Sequence, residues 1–143
     1  MVTTEGIRHF MELVLQLQAL PASYWLGWAT NTSLSVSSTM ASITELTGFG
    51  YARQEVAIEG SSLEIDSAAG GTNGWKMTFD DKTWAASGGD WSLALWCFIT
   101  TVETGSSGKL IGAEPLNEGS GVALNNGQSY DKGIILLAEP MVS

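Results

Sequence analysis

From Pro21 onward the chain breaks into short runs of Thr, Ser, Val, Ile and aromatic residues divided by clusters of Gly, Asn and Ser. That rhythm restricts it to a mainly β fold. The runs at residues 24–30, 51–59, 62–65, 75–79, 90–100, 109–114, 121–124 and 132–138 read as strands. Eight strands at this spacing predict an antiparallel β-sandwich, jelly-roll-like, in a single domain spanning residues 1–143. Asn126-Gly127 reads as the turn of a closing hairpin. Residues 31–47, rich in Ser and Thr, have no periodicity and read as a long loop or irregular edge. Ahead of Pro21, Ile7, Phe10, Met11, Val14 and Leu17 recur at helical steps, with Leu13 and Leu20 widening the stripe. One helix over residues 4–20 follows, capped by Thr3 or Thr4, favoured by Glu5 near its start and stopped by Pro21. Its apolar stripe is expected to dock, either on a sheet or on a neighbouring subunit.

Composition narrows the function classes. The 143 residues are 44% hydrophobic and carry 6 Lys+Arg against 15 Asp+Glu, a formal net charge of −9. So few basic residues argue against binding a phosphate backbone, and no nucleic-acid partner is expected. The longest unbroken apolar run, residues 93–99, is far below the ~20 residues of a membrane span, and no membrane partner is expected. Glu12, Gln16 and Gln18 interrupt residues 11–20, which argues against a secretion signal there. The single cysteine, Cys97, permits no intrachain disulfide, and no Cys/His group has zinc-ligand spacing.

Catalytic constellations are equally sparse. His9 is the only histidine, no Gly-x-Ser-x-Gly elbow accompanies it, and Cys97 sits in the most apolar run, where a thiol packs as a small hydrophobe. Asp80-Asp81, with Asp90 nearby in sequence, could offer oxygen ligands to Ca²⁺, but the pair lacks EF-hand spacing and reads as a solvated turn. Glu55 and Glu59 share a strand face with Arg53. At roughly 13 Å apart along a strand they are too distant for either glycosidase mechanism. An ion pair of Arg53 with one of them is the expectation. No enzyme activity, cofactor or metal is therefore expected.

Six tryptophans, at positions 25, 28, 75, 84, 91 and 96, suit a sandwich core or an interface better than a sugar platform. Residues 90–100 are apolar on both faces, with Trp91, Leu93, Leu95, Cys97 and Ile99 on one and Ala94, Trp96 and Phe98 on the other. Residues 134–137 make the same demand. Unless the helix covers the second face, it forms an exposed patch that calls for an oligomer or a protein partner.

Tyr24-Trp25-Leu26-Gly27 and, after the Ser/Thr-rich loop, Glu45-Leu46-Thr47-Gly48-Phe49-Gly50-Tyr51-Ala52-Arg53-Gln54 resemble a family of small bacteriophage virion proteins, head-decoration or tail-fibre proteins. Gly48, Gly50, Tyr51, Ala52, Arg53 and Gln54 carry the resemblance best. Asp90-Trp91 opens what corresponds to the family's penultimate long strand, and Asn126-Gly127 lies where its final hairpin turns. Trp28, the order Leu26-Gly27, and a loop from Asn31 without a Gly-Asp-Pro turn depart from the pattern. The resemblance implies a β-sandwich that serves as a capsid cement protein on the outside of the major capsid lattice, as a homotrimer, on a virion assembled in the host cytoplasm. Its partners would be the major capsid protein and itself. A tail-fibre or tail-adaptor protein of the same family is the alternative, and a carbohydrate-binding module a second one. Tyr51, Arg53, Gln54, Trp28, Trp96 and Phe98 are the residues expected to orient the fold or meet a neighbour.

Overall fold

A computed structural model describes residues 1–19, 21, 23–57, 63–66 and 75–138. These form one helix, α1 (Thr4–Leu15), and seven strands: β1 (Ser23–Ala29), β2 (Gln54–Ala57), β3 (Leu63–Asp66), β4 (Trp75–Ala85), β5 (Trp96–Thr100), β6 (Leu110–Pro115) and β7 (Ser129–Ala138). All pairings are antiparallel, in a four-stranded sheet of order β2-β1-β5-β6 and a three-stranded sheet of order β3-β4-β7. Leu26, Val56, Ile99 and Ile111 of the first sheet share one apolar core with Phe79, Trp84, Ile134 and Leu136 of the second. The mainly β expectation with one N-terminal helix therefore holds.

Four expected elements differ. Residues 121–124 are not a strand beside β7. Val122 instead bridges Ala94, and Trp91 N–H donates to Leu124 O at 2.7 Å. The segment before β5 takes those backbone groups, so β5 starts only at Trp96, and the Asn126-Gly127 turn leads from this bridge into β7 without joining two strands as a hairpin. Asp80-Asp81 lies inside β4 and not in a turn. Phe79 pairs with Ile134 and Lys82 with Lys132, so two residues oppose one, a β-bulge that leaves both carboxylates exposed.

The second face of β5 is covered within the chain. Phe98 packs with Ala29, Met40, Leu110 and Ala113, and Leu34, Ile43, Trp96 and Met1 close around them. Met40 sits in a short 3₁₀ turn, Met40–Ser42, so the Ser/Thr-rich loop spends its few apolar residues as a lid. The exposed patch expected on this strand is therefore not there. At the edge of the second sheet, Ile135 N–H of β7 donates to Glu114 Oε2 at 3.0 Å, and Lys132 Nζ bonds the same oxygen at 3.0 Å.

Helix α1 starts as expected: Thr3 is the N-cap, its hydroxyl accepting from Gly6 N–H at 3.0 Å. It ends at Leu15, well before Pro21, because Leu17 turns into the left-handed region (φ 51°) and Gln16 and Gln18 N–H both donate to Glu12 O. Its orientation reverses the simple expectation. The face against β6 combines a glycine and polar side chains with Phe10, which packs on the main core. A Cβ on Gly6 would lie 2.1 Å from Ile111 O, so only glycine lets the helix approach this closely. Glu5 accepts from Leu110 N–H at 2.8 Å, Lys109 pairs with Glu12, and His9 is buried. Phe10 and Leu13 are half-buried, whereas Ile7 and Met11 are 53% exposed, Val14 71%, Leu15 70% and Leu17 86%. Most of the stripe faces solvent.

Candidate functional site

The polar side chains of residues 45–53 converge where the loop enters β2. Arg53, 7% exposed, makes a two-pronged pair with Glu45, Nε to Oε1 at 2.9 Å and Nη2 to Oε2 at 2.7 Å. Its Nη1 donates to Val102 O at 2.8 Å and Nη2 to Gly105 O at 2.9 Å, while the guanidinium lies 5.3 Å from the centre of the Phe98 ring. One planar fork thus ties three segments together. The expected partner of Arg53 is corrected: it is Glu45, not Glu55, which accepts from Ser23 Oγ, and Glu59 lies outside the described residues. Arg53 precedes β2, so the face alternation that grouped it with Glu55 does not extend to it.

Tyr51 completes the cluster. Its hydroxyl donates to Glu45 Oε1 at 2.8 Å and accepts from Trp28 N–H at 2.8 Å. Burial, reinforced by the Glu45 charge, pushes its pKa well above the ordinary value of a tyrosine. Room for this comes from Gly27, where a Cβ would lie 2.5 Å from the Phe98 ring and 2.8 Å from Tyr51 Oη. The preceding turn, Gly48-Phe49-Gly50, has positive φ at all three residues, and two indoles hold this stretch from below. Trp91 Nε1 donates to Phe49 O at 2.9 Å and Trp84 Nε1 to Ala52 O at 3.0 Å. Glu45 and the two indole donors are the members that the sequence did not single out. Glu45 stands in the same run as Arg53, eight residues earlier, and a buried arginine's need for a carboxylate was the available signal.

The other expected residues divide by burial. Trp28 is fully buried, with ring centres 5.3 Å from Trp84, 5.5 Å from Trp91 and 5.7 Å from Tyr130. Phe98 is fully buried beneath Arg53 and the loop, so neither of these rings meets a neighbour directly. Trp96 is half-buried at the margin of the same cluster, and Gln54, half-buried, opens β2 opposite Leu26.

A shallow cleft of ≈330 Å³ lies beside the cluster, lined by Thr47, Gly48, Tyr51, Glu103 and Thr104 among others. Four N–H bonds of Arg53 and the Tyr51 hydroxyl are committed inside the protein, so the arrangement works as a clasp. Elsewhere, Cys97 is buried and its thiol is pushed up to about 12 by desolvation, far from a thiolate at neutral pH. His9 Nε2 lies 3.1 Å from Tyr24 Oη, and burial first, then the Lys109 charge, lowers its pKa against an opposing pull from Glu12. Among the described residues no three His, Cys, Asp or Glu side chains gather as a metal site requires, and no helix is long and apolar enough to cross a membrane. No family model and no curated protein matches the chain.

Proposed function

We propose that the chain is a structural subunit of a phage particle, a cement protein that binds the outside of the major capsid lattice and reinforces the head. The observation that carries this reading is α1. A β body whose clasp is satisfied internally presents Ile7, Met11, Val14 and Leu15 as an apolar stripe on the helix, with Leu17 exposed just past its end, and apolar surface of that kind marks a site covered by another protein. The contact surface expected on the strands thus moves to the helix. For the body we infer a β-sandwich, two sheets facing each other across the shared core, a scaffold whose work on a shell is mechanical and depends on buried contact. The partners are the major capsid protein and further copies of the chain, and the place is the particle surface after assembly in the host cytoplasm.

A tail-fibre or tail-adaptor role uses the same surface and is the second reading. The sugar-binding alternative loses support: none of the tryptophans at 25, 28, 84, 91 and 96 is exposed, and the exposed aromatic ring among the described residues is Phe49. Incubation of the purified chain with empty heads tests the proposal. Co-sedimentation and a higher rupture temperature are expected. No binding to heads overturns it, binding to tail components alone selects the second reading, and a glycan-dependent shift in tryptophan fluorescence selects the sugar module.

A further inference from the structure

The geometry points to a second copy of the chain as the occupant of the α1 stripe, the two helices crossing antiparallel about a twofold axis at Met11. This rests on the reading of the chain as an assembly subunit and, of the two partners named there, gives the stripe to a further copy of the chain and not to the major capsid protein. The spacing is self-complementary. Ile7, Met11 and Leu15 stand four residues apart on one ridge, symmetric about the middle member. In an antiparallel pair Ile7 meets Leu15 of the second copy and Met11 meets Met11, so one patch serves both sides, as a twofold contact demands. Ridges of this spacing interlock at a well-populated crossing angle.

Area and charge agree with the same occupant. With roughly 200 Å² for a fully exposed aliphatic residue, the four exposures on the helix amount to about 500 Å² per copy and about 1,000 Å² per pair, the area a specific interface has to reach. The other large apolar residues exposed among those described, Val36, Phe49 and Leu93, belong to three separate loops. Arg8, whose side chain is 78% exposed, flanks the ridge, while the last turn of α1 holds no basic residue. An antiparallel crossing sets Arg8 of each copy beside the partially negative carboxyl end of the other helix, whereas a parallel pair would stack like ends. The net charge of −9 per chain opposes association at long range, so pairing strengthens as salt screens it.

Sedimentation of the full chain over a concentration series tests this. A dimer is expected, tighter at higher salt. Met11→Glu places two carboxylates at the axis and is expected to weaken it at least roughly 100-fold. Ile7→Lys and Leu15→Glu each weaken it, and the double variant recovers it by pairing lysine with glutamate across the axis. Met11→Cys is expected to cross-link two chains under oxidant, with Cys97 too buried to compete. All these positions are exposed, so circular dichroism should be unchanged. A chain that stays monomeric at every concentration, or an oligomer, trimer included, that ignores Met11→Glu, overturns the pairing. A double variant no better than its parents overturns the antiparallel sense. Monomers that still bind empty heads would remove the pairing and leave the virion reading standing. A Met11-dependent dimer that ignores heads would do the reverse.

Discussion

Tyr51 does with a phenol what a neighbouring strand would do with a carbonyl. Strand β2 runs beside β1 only from Ser23 to Leu26, so the Trp28 N–H lies past its reach and finds the Tyr51 hydroxyl instead. Tyr51→Phe removes that acceptor and one donor to Glu45 while preserving the ring. A buried N–H left without a partner costs about 1–3 kcal/mol, and Tyr51→Phe is expected to lower the unfolding free energy by that amount in a denaturant titration. A change within about 0.5 kcal/mol would deny the clasp its structural weight. Tyr51 and Arg53 were legible because they stand in a distinctive run. Glu45 stands in the same run and was readable as the carboxylate that a buried arginine needs, but Val102 and Gly105 were not, since the loop after β5 brings them to Arg53 and loop paths leave no period in a sequence.

Helix α1 was legible in its existence, its Thr3 cap and its two-sidedness, but not in which side meets the protein. Periodicity groups residues by side; the close approach at Gly6 and the polar contacts of Glu5, His9 and Glu12 decide which side docks. Those contacts also make the docking sensitive to acid. His9 has a folded pKa below its ordinary 6.5, because burial and Lys109 disfavour the charged ring. Its contribution is complete above pH 6.5. As the pH falls below that value, the undocked form takes up a proton that the docked form resists, and stability is lost until the folded pKa is passed. Glu12, held below its ordinary 4.5 by Lys109 and Arg8, adds a second loss in the same direction below that pH. Hydrogen exchange on α1, corrected for intrinsic rates, should show constant protection above pH 6.5 and a decline beneath it. His9→Gln, which can still meet Tyr24, should flatten the upper part of the decline and spare the lower part. A profile unchanged by that substitution would locate the acid sensitivity outside His9.

For the whole molecule, strand alternation and turn residues made the β class and most strands readable, while the cover over Phe98 was not, because Leu34, Met40 and Ile43 are scattered through a Ser/Thr-rich stretch with no period. The two-sided strand that suggested a missing partner was describing the chain's own loop. Glu114 carries a different consequence for how many such molecules behave together. β7 is an outer strand bearing Ile134-Ile135-Leu136-Leu137, a composition that templates cross-β stacking when its edge amides are free. The Glu114 carboxylate occupies the outward Ile135 N–H and anchors Lys132 beside it, and an edge amide so occupied is closed to a further strand. Glu114→Ala is expected to shorten the lag before thioflavin-positive aggregates form, and an unchanged lag would show that the edge is guarded by some other group.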